Sequence, residues 1–84
     1  MIHVLYFARL REQLASSGEE LPANPAVASV DDLTAWLRAR GGVWGEVFGP
    51  DQRVLVAINQ ELARPESAIA DGDEVAFFPP VTGG

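Results

Sequence analysis

Apolar and polar positions divide the chain into short segments of recognisable period. Ile2 to Ala8 is rich in β-branched and aromatic residues and has the length of a strand. Alternation puts Ile2, Val4 and Tyr6 on one face and His3, Leu5 and Phe7 on the other, which predicts a central strand covered on much of both faces. Arg9 to Ala15 holds good helix formers, with Leu10 and Leu14 four apart, and Ser16-Ser17-Gly18 ends it. Glu19-Glu20-Leu21 reads as a short strand, followed by a loop bracketed by Pro22 and Pro25. The clearest helix starts at Ser29, a natural N-cap, with Asp31 and Asp32 in the first turn where the helix dipole favours negative charge. Val30, Leu33, Trp36 and Leu37 form its apolar stripe, Arg38 and Arg40 suit its last turn, and Gly41-Gly42 stops it. Val43 to Asp51 is expected to be irregular, anchored by Trp44 and Phe48. Arg53 to Ile58 reads as a strand, Asn59-Gln60 as a tight turn into Glu61-Leu62-Ala63, and Asp71-Gly72 as a turn before a last strand, Glu74 to Phe78.

Clustered strands with one principal helix predict an α+β fold, a mixed sheet covered by that helix. If the first and last strands are neighbours they run parallel, because the chain between them is long enough for a crossover. That arrangement is the β-grasp fold of ubiquitin-like proteins. The expected organisation is one β-grasp domain over residues 1–78 and a C-terminal tail over 79–84.

Composition narrows the function. At 84 residues the chain has room for one domain, and with no cysteine it has neither disulfides, thiolate metal sites nor a cysteine nucleophile. No apolar run approaches the ~20 residues that cross a bilayer. Met1 to Phe7 reads as a strand in place of a leader, so a cytoplasmic location with no membrane partner is expected. Twelve acidic residues against six basic give a net charge of -6, which argues against nucleic acid and for basic protein partners. Every basic residue is an arginine.

The body offers little chemistry. His3 is the one histidine, and no serine lies in a G-x-S-x-G context. Asp31-Asp32 is explained by capping. Asp71-Gly72-Asp73-Glu74 lacks the remaining ligands of a calcium loop, so no metal is expected. Trp36 and Trp44 read as core or loop anchors.

The end of the chain, Pro79-Pro80-Val81-Thr82-Gly83-Gly84, is different. Two prolines end a sheet ladder and favour an extended chain, and six extended residues reach about 20 Å, enough to enter another protein's active site. Two terminal glycines make the thinnest possible thread, with a carboxylate that becomes an electrophile once adenylated. A bare Gly-Gly, taken by itself, reads first as a frayed end or a cloning remnant.

The stretch from Asp71 to Gly84, with Glu74-Val75-Ala76-Phe77-Phe78-Pro79-Pro80-Val81-Thr82-Gly83-Gly84 at its heart, resembles the C-terminus of the small subunits of molybdopterin synthase. Val4-Leu5-Tyr6-Phe7-Ala8 followed by Leu10-Arg11-Glu12 is similar to that family's opening, and Ala57-Ile58-Asn59 also fits. The resemblance implies a non-catalytic sulfur carrier that binds no cofactor. A ubiquitin-activator-like adenylyltransferase would adenylate Gly84 with ATP, and a sulfurtransferase would convert it to a thiocarboxylate. The tail residues Pro80, Val81, Thr82, Gly83 and Gly84 would then enter the large synthase subunit, in a heterotetramer, to build the molybdopterin dithiolene from cyclic pyranopterin monophosphate. Phe78, beside the tail root, is the expected partner anchor. The alternatives are a sulfur carrier for thiamine or cysteine synthesis, a ubiquitin-like protein modifier, and a binding module with an inert tail.

Overall fold

The computed structural model describes residues 1–80. The elements are β1 (Ile2–Tyr6), α1 (Arg9–Leu14), β2 (Gly18–Leu21), α2 (Val30–Arg38), α3 (Val43–Val47), β3 (Leu55–Ile58), β4 (Glu61–Leu62) and β5 (Glu74–Phe78). One five-stranded sheet runs in the order β2-β1-β5-β3-β4. β1 and β5 pair in parallel, with Val4 opposite Val75 and Tyr6 opposite Phe77. The other neighbours are antiparallel, so the expected β-grasp topology is the observed one.

The core lies between the helices and one face of the sheet. Val4, Val75, Leu33 and Leu37 are sealed from solvent, together with Ile2, Tyr6 and Phe77. Tyr6 packs edge-on against Trp44 at 5.5 Å between ring centroids, and Phe48 meets Phe77 edge-on at 5.1 Å. Such edge-to-face contacts place the positive rim of one ring on the negative face of the next.

Local chemistry explains the element ends. Ser29 Oγ accepts a hydrogen bond from the Asp32 amide at 3.2 Å, and an Asp32 oxygen accepts from the Ala28 amide at 3.1 Å. These bonds supply partners for two amides at the start of α2. Gly41 and Gly42 stop the helix with φ of 78° and 56°. Asn59 and Gln60 both take positive φ, 50° and 70°, the geometry of a tight hairpin turn whose twist matches the strands.

Three expectations change. The segment from Val43 to Asp51 is not irregular throughout. It carries α3, formed despite glycines at 42, 45 and 49 because Val47 is buried in the core and Phe48 packs on Tyr6 and Phe77 of the sheet, which outweighs weak helix propensity. Trp36 is not part of the buried stripe of α2. It is 41% exposed and covers the Arg40 guanidinium, whose carbon lies 4.8 Å from the ring centroid. Finally, β1 is central but covered on one face only. Leu5 is half-buried while His3 and Phe7 are exposed, because the helices all lie on the side of Ile2, Val4 and Tyr6.

Candidate functional site

Because every helix packs on one side, the other side of the sheet is a free surface with a sharp division along its length. Register places His3 between Glu20 of β2 and Glu74 of β5. His3 Nδ1 lies 3.0 Å from Glu20 Oε1, so this end is polar. One step further along the strands, Leu5 stands opposite Ala76, Ala76 opposite Ala57, and Ala57 opposite Leu62. At the far end Leu55 is opposite Phe78, and Phe7 follows the Tyr6–Phe77 pair. The two alanines give a low floor, and larger apolar side chains stand around it. Phe7 is 46% and Leu62 77% exposed, while Leu5, Leu55 and Phe78 are half-buried. A contiguous apolar patch of this kind on a charged protein marks an interaction surface.

Phe78 therefore stands on the side away from the helices at the last position of β5, half-buried and opposite Leu55. Pro80 is half-buried at the end of the described chain. Val81, Thr82, Gly83 and Gly84 lie outside the described residues. Phe7, Leu5, Leu55 and Leu62 were missed as surface residues by sequence reasoning. The signal was present: β1 is apolar on both faces, and among the described residues no helix covers the second one.

The charged groups of the body serve structure. Tyr6 Oη donates to Glu19 Oε2 at 2.9 Å, and Arg40 donates to both oxygens of Glu19 at 2.8 and 2.6 Å. The Arg40 guanidinium also sits over the Trp44 ring at 4.4 Å. The fork of Arg40 holds the Glu19 carboxyl below the usual carboxylate range, with help from Tyr6, and Glu19 in turn raises Arg40. Burial first, then the bond to Glu19, pushes the Tyr6 phenol far above its ordinary value. At the other end of β1, the Met1 ammonium pairs with Asp71 and holds that carboxyl below its usual range. Asp73 is lowered by accepting from the Ala70 amide at 2.8 Å and from Asn59 Nδ2 at 3.0 Å. The Asp71–Glu74 turn is thus bound into the sheet's own polar contacts.

A groove of about 410 Å³ runs between α2 and the β3–β4 edge, and brings Asp31, Thr34 and Arg38 over an apolar floor of Val30, Val56 and Phe77. Arg38 Nε already donates to the Phe48 carbonyl at 2.8 Å. Among the described residues no group of three or more His, Cys, Asp or Glu side chains is placed to hold a metal ion. None of their helices is long and apolar enough to cross a membrane.

A mixed β-grasp sheet with helices on one face and an apolar surface on the other defines a ubiquitin-like protein. Residues 4–84 match the ThiS family, and the chain belongs to it. It is 40% identical over 84 residues to the molybdopterin synthase sulfur carrier subunit of Escherichia coli, covering 100% of both chains. It is similar to the crystal structure of small archaeal modifier protein 1 of Haloferax volcanii, with a TM-score of 0.75 and 32% identity over 95% of this chain and 97% of that one. The fold is also that of a chain in the complex of subunits 1 and 2 of the molybdopterin-converting factor from Helicobacter pylori, at a TM-score of 0.67 and 24% identity, covering 99% and 97%.

Proposed function

We propose that this chain is the sulfur-carrying small subunit of a molybdopterin synthase. The observation that carries the reading is the 40% identity to a sulfur carrier subunit along its whole length, within a family match that runs through Gly84. The Gly84 carboxylate attacks the α-phosphorus of ATP on a separate adenylyltransferase and releases pyrophosphate. A persulfide on a sulfurtransferase then displaces AMP to give an acyl disulfide, and a thiol reduces its S–S bond to leave a thiocarboxylate. Its sulfur is transferred to cyclic pyranopterin monophosphate in the large subunit, and hydrolysis of the resulting acyl group restores the carboxylate. Two such cycles supply both dithiolene sulfurs.

In this reading the two parts of the surface divide the work. The apolar face around Phe7, Leu5 and Phe78 seats the large subunit, and Pro80 to Gly84 enters its active site. The complex of a chain with the same fold supports a large-subunit partner. The carrier supplies the reacting carbonyl and the partner supplies the catalytic groups. The likeness to an archaeal modifier favours a second reading, in which Gly84 is joined to lysines of other proteins.

Intact mass after incubation with ATP, a sulfur donor and an activating enzyme tests the first reading. Replacement of one oxygen by sulfur is expected, and is lost when Gly84 is deleted. An unchanged mass, with that enzyme active on another carrier, overturns it for that pairing. Isopeptide-linked adducts on other proteins would establish the second.

A further inference from the structure

An activated C-terminus is an acylating agent, and the first nucleophiles it meets are those of its own chain. The residues of this chain are chosen and placed as if to prevent that encounter. All six basic side chains are arginines, and cysteine and lysine are both absent. A guanidinium keeps its proton in neutral water and has no free electron pair to offer. The one phenol, Tyr6, is buried, donates to Glu19 and is held in its protonated form. Two nitrogen nucleophiles remain, the Met1 amine and the His3 imidazole.

Both lie at the wrong end of the sheet. The Gly72 amide donates to the Met1 carbonyl at 2.8 Å, and His3 is the register partner of Glu74, so both sit where β5 begins. Each is also engaged by a carboxylate, Met1 by Asp71 and His3 by Glu20. The tail leaves where β5 ends. Phe78 and Pro79 each precede a proline, which holds them extended, so the chain cannot reverse before Pro80. From Glu74 to Pro80 is six residues, about 20 Å at ~3.3 Å per residue. The four residues after Pro80 span at most about 14 Å. The Gly84 carbonyl therefore falls short of His3 and further short of Met1.

We propose that this chain is built to be inert toward its own activated end, so that its acyl group passes only to another molecule and, lacking lysine, a second copy offers no side-chain amine to extend a chain. The inference rests on the reading of Gly84 as the activated group. The step it excludes is attack of an amine on the activated carbonyl, in which a C–N bond forms, the bond to the leaving group breaks, and the amine proton goes with the leaving group.

The test uses the folded full chain with a Gly84 thioester made chemically, so it does not depend on any activating enzyme accepting the protein. Two variants place an amine at the tail end of the sheet. Arg53→Lys lies just before β3, near the Leu55–Phe78 pair, and Arg9→Lys follows β1 just past Phe7. His3→Lys places the same amine at the far end as a control. Intact mass at mildly alkaline pH distinguishes hydrolysis, which gives the acid, from internal acylation, which gives a product one water lighter. The unmodified chain and His3→Lys are expected to give only acid, while Arg53→Lys or Arg9→Lys gives the lighter product within the monomer. The lighter product from the unmodified chain or from His3→Lys would overturn the proposal. So would hydrolysis of both tail-end variants to acid at the unmodified rate.

Discussion

Replacing Tyr6 with phenylalanine isolates one hydrogen bond and one titration in a single experiment. Tyr6 is 1% exposed, and its hydroxyl donates to Glu19 at 2.9 Å. Phenylalanine keeps the ring contacts with Trp44, Phe48 and Phe77. Glu19 keeps both bonds from Arg40 and some contact with water, so the lost donor does not strand a charge. A hydrogen bond to a charged acceptor is worth ~1.5–3 kcal/mol, and with Arg40 compensating the cost at pH 7 is expected near the lower end. The alkaline limb gives the second reading. The folded phenol is raised far above its ordinary value of ~10, so its stabilising contribution is fully present below that pH and is lost as pH rises above it. The loss is about 1.36 kcal/mol per pH unit, because only the unfolded chain ionises. With one tyrosine and no lysine or cysteine, no other side chain titrates in that window. Tyr6→Phe lacks this limb, so the two stability curves are expected to cross near pH ~11. Urea unfolding at intervals from pH 7 to 11.5 measures this. Parallel curves across that range would refute the assignment of a buried, protonated phenol bonded to Glu19.

Other outcomes follow from the same contacts. Glu19→Gln should lower stability at neutral pH, and the difference should narrow as pH falls below the ordinary carboxylate range. The Glu19 carboxyl is depressed by Arg40 and Tyr6, so its contribution exists above the unfolded value and disappears as acid protonates it, measured by denaturation between pH 3 and 7. Ser29→Ala removes the cap of α2 and should cost about 1 kcal/mol in chemical denaturation. Gly18→Ala would bring a methyl within 2.6 Å of the Val4 carbonyl oxygen, and should destabilise by ~1–3 kcal/mol through a forced shift of β2 from β1. Leu62→Asp alters a side chain that is 77% exposed and should move stability within ~0.5 kcal/mol. If the open face seats the large subunit, the same substitution should weaken that complex in a binding titration.

Much of the fold was legible because local and global signals agree. Leu10 and Leu14, and Val30, Leu33 and Leu37, are spaced for one helical face, and each is buried. Val75 and Phe77 alternate inward as a strand of period two requires. Asn59-Gln60 formed a tight turn without a glycine in second place. The failures share a cause, which is that long-range contacts decide them. α3 forms because Phe48 reaches the sheet from a glycine-rich segment. Trp36 turns outward because Arg40, held by Glu19 of β2, offers its ring a cation. The sheet beneath Phe48 and the Glu19 that fixes Arg40 both lie far off in sequence, so no local period records the choice. The two terminal glycines lie outside the described residues, while the apolar face beside β5 was hidden from sequence. An apolar second side of β1 reads the same whether a helix of the same chain or another protein covers it.

The parallel β1–β5 pair sets when this surface comes into being. Its two strands, the middle of the sheet, join residues 2–6 to residues 74–78. A ribosome releases the chain from its N-terminus, and β5 is the last of the described strands to be made. Until it emerges, β1 lacks one neighbour, β3 has only the two-residue β4 beside it, and Phe7 and Leu5 have no surface to belong to. Closing so long a loop also makes folding slower than a helical protein of equal size would show. The apolar face and the exit of the chain beside it are therefore completed in one late event. A truncated or half-synthesised copy cannot present the one without the other.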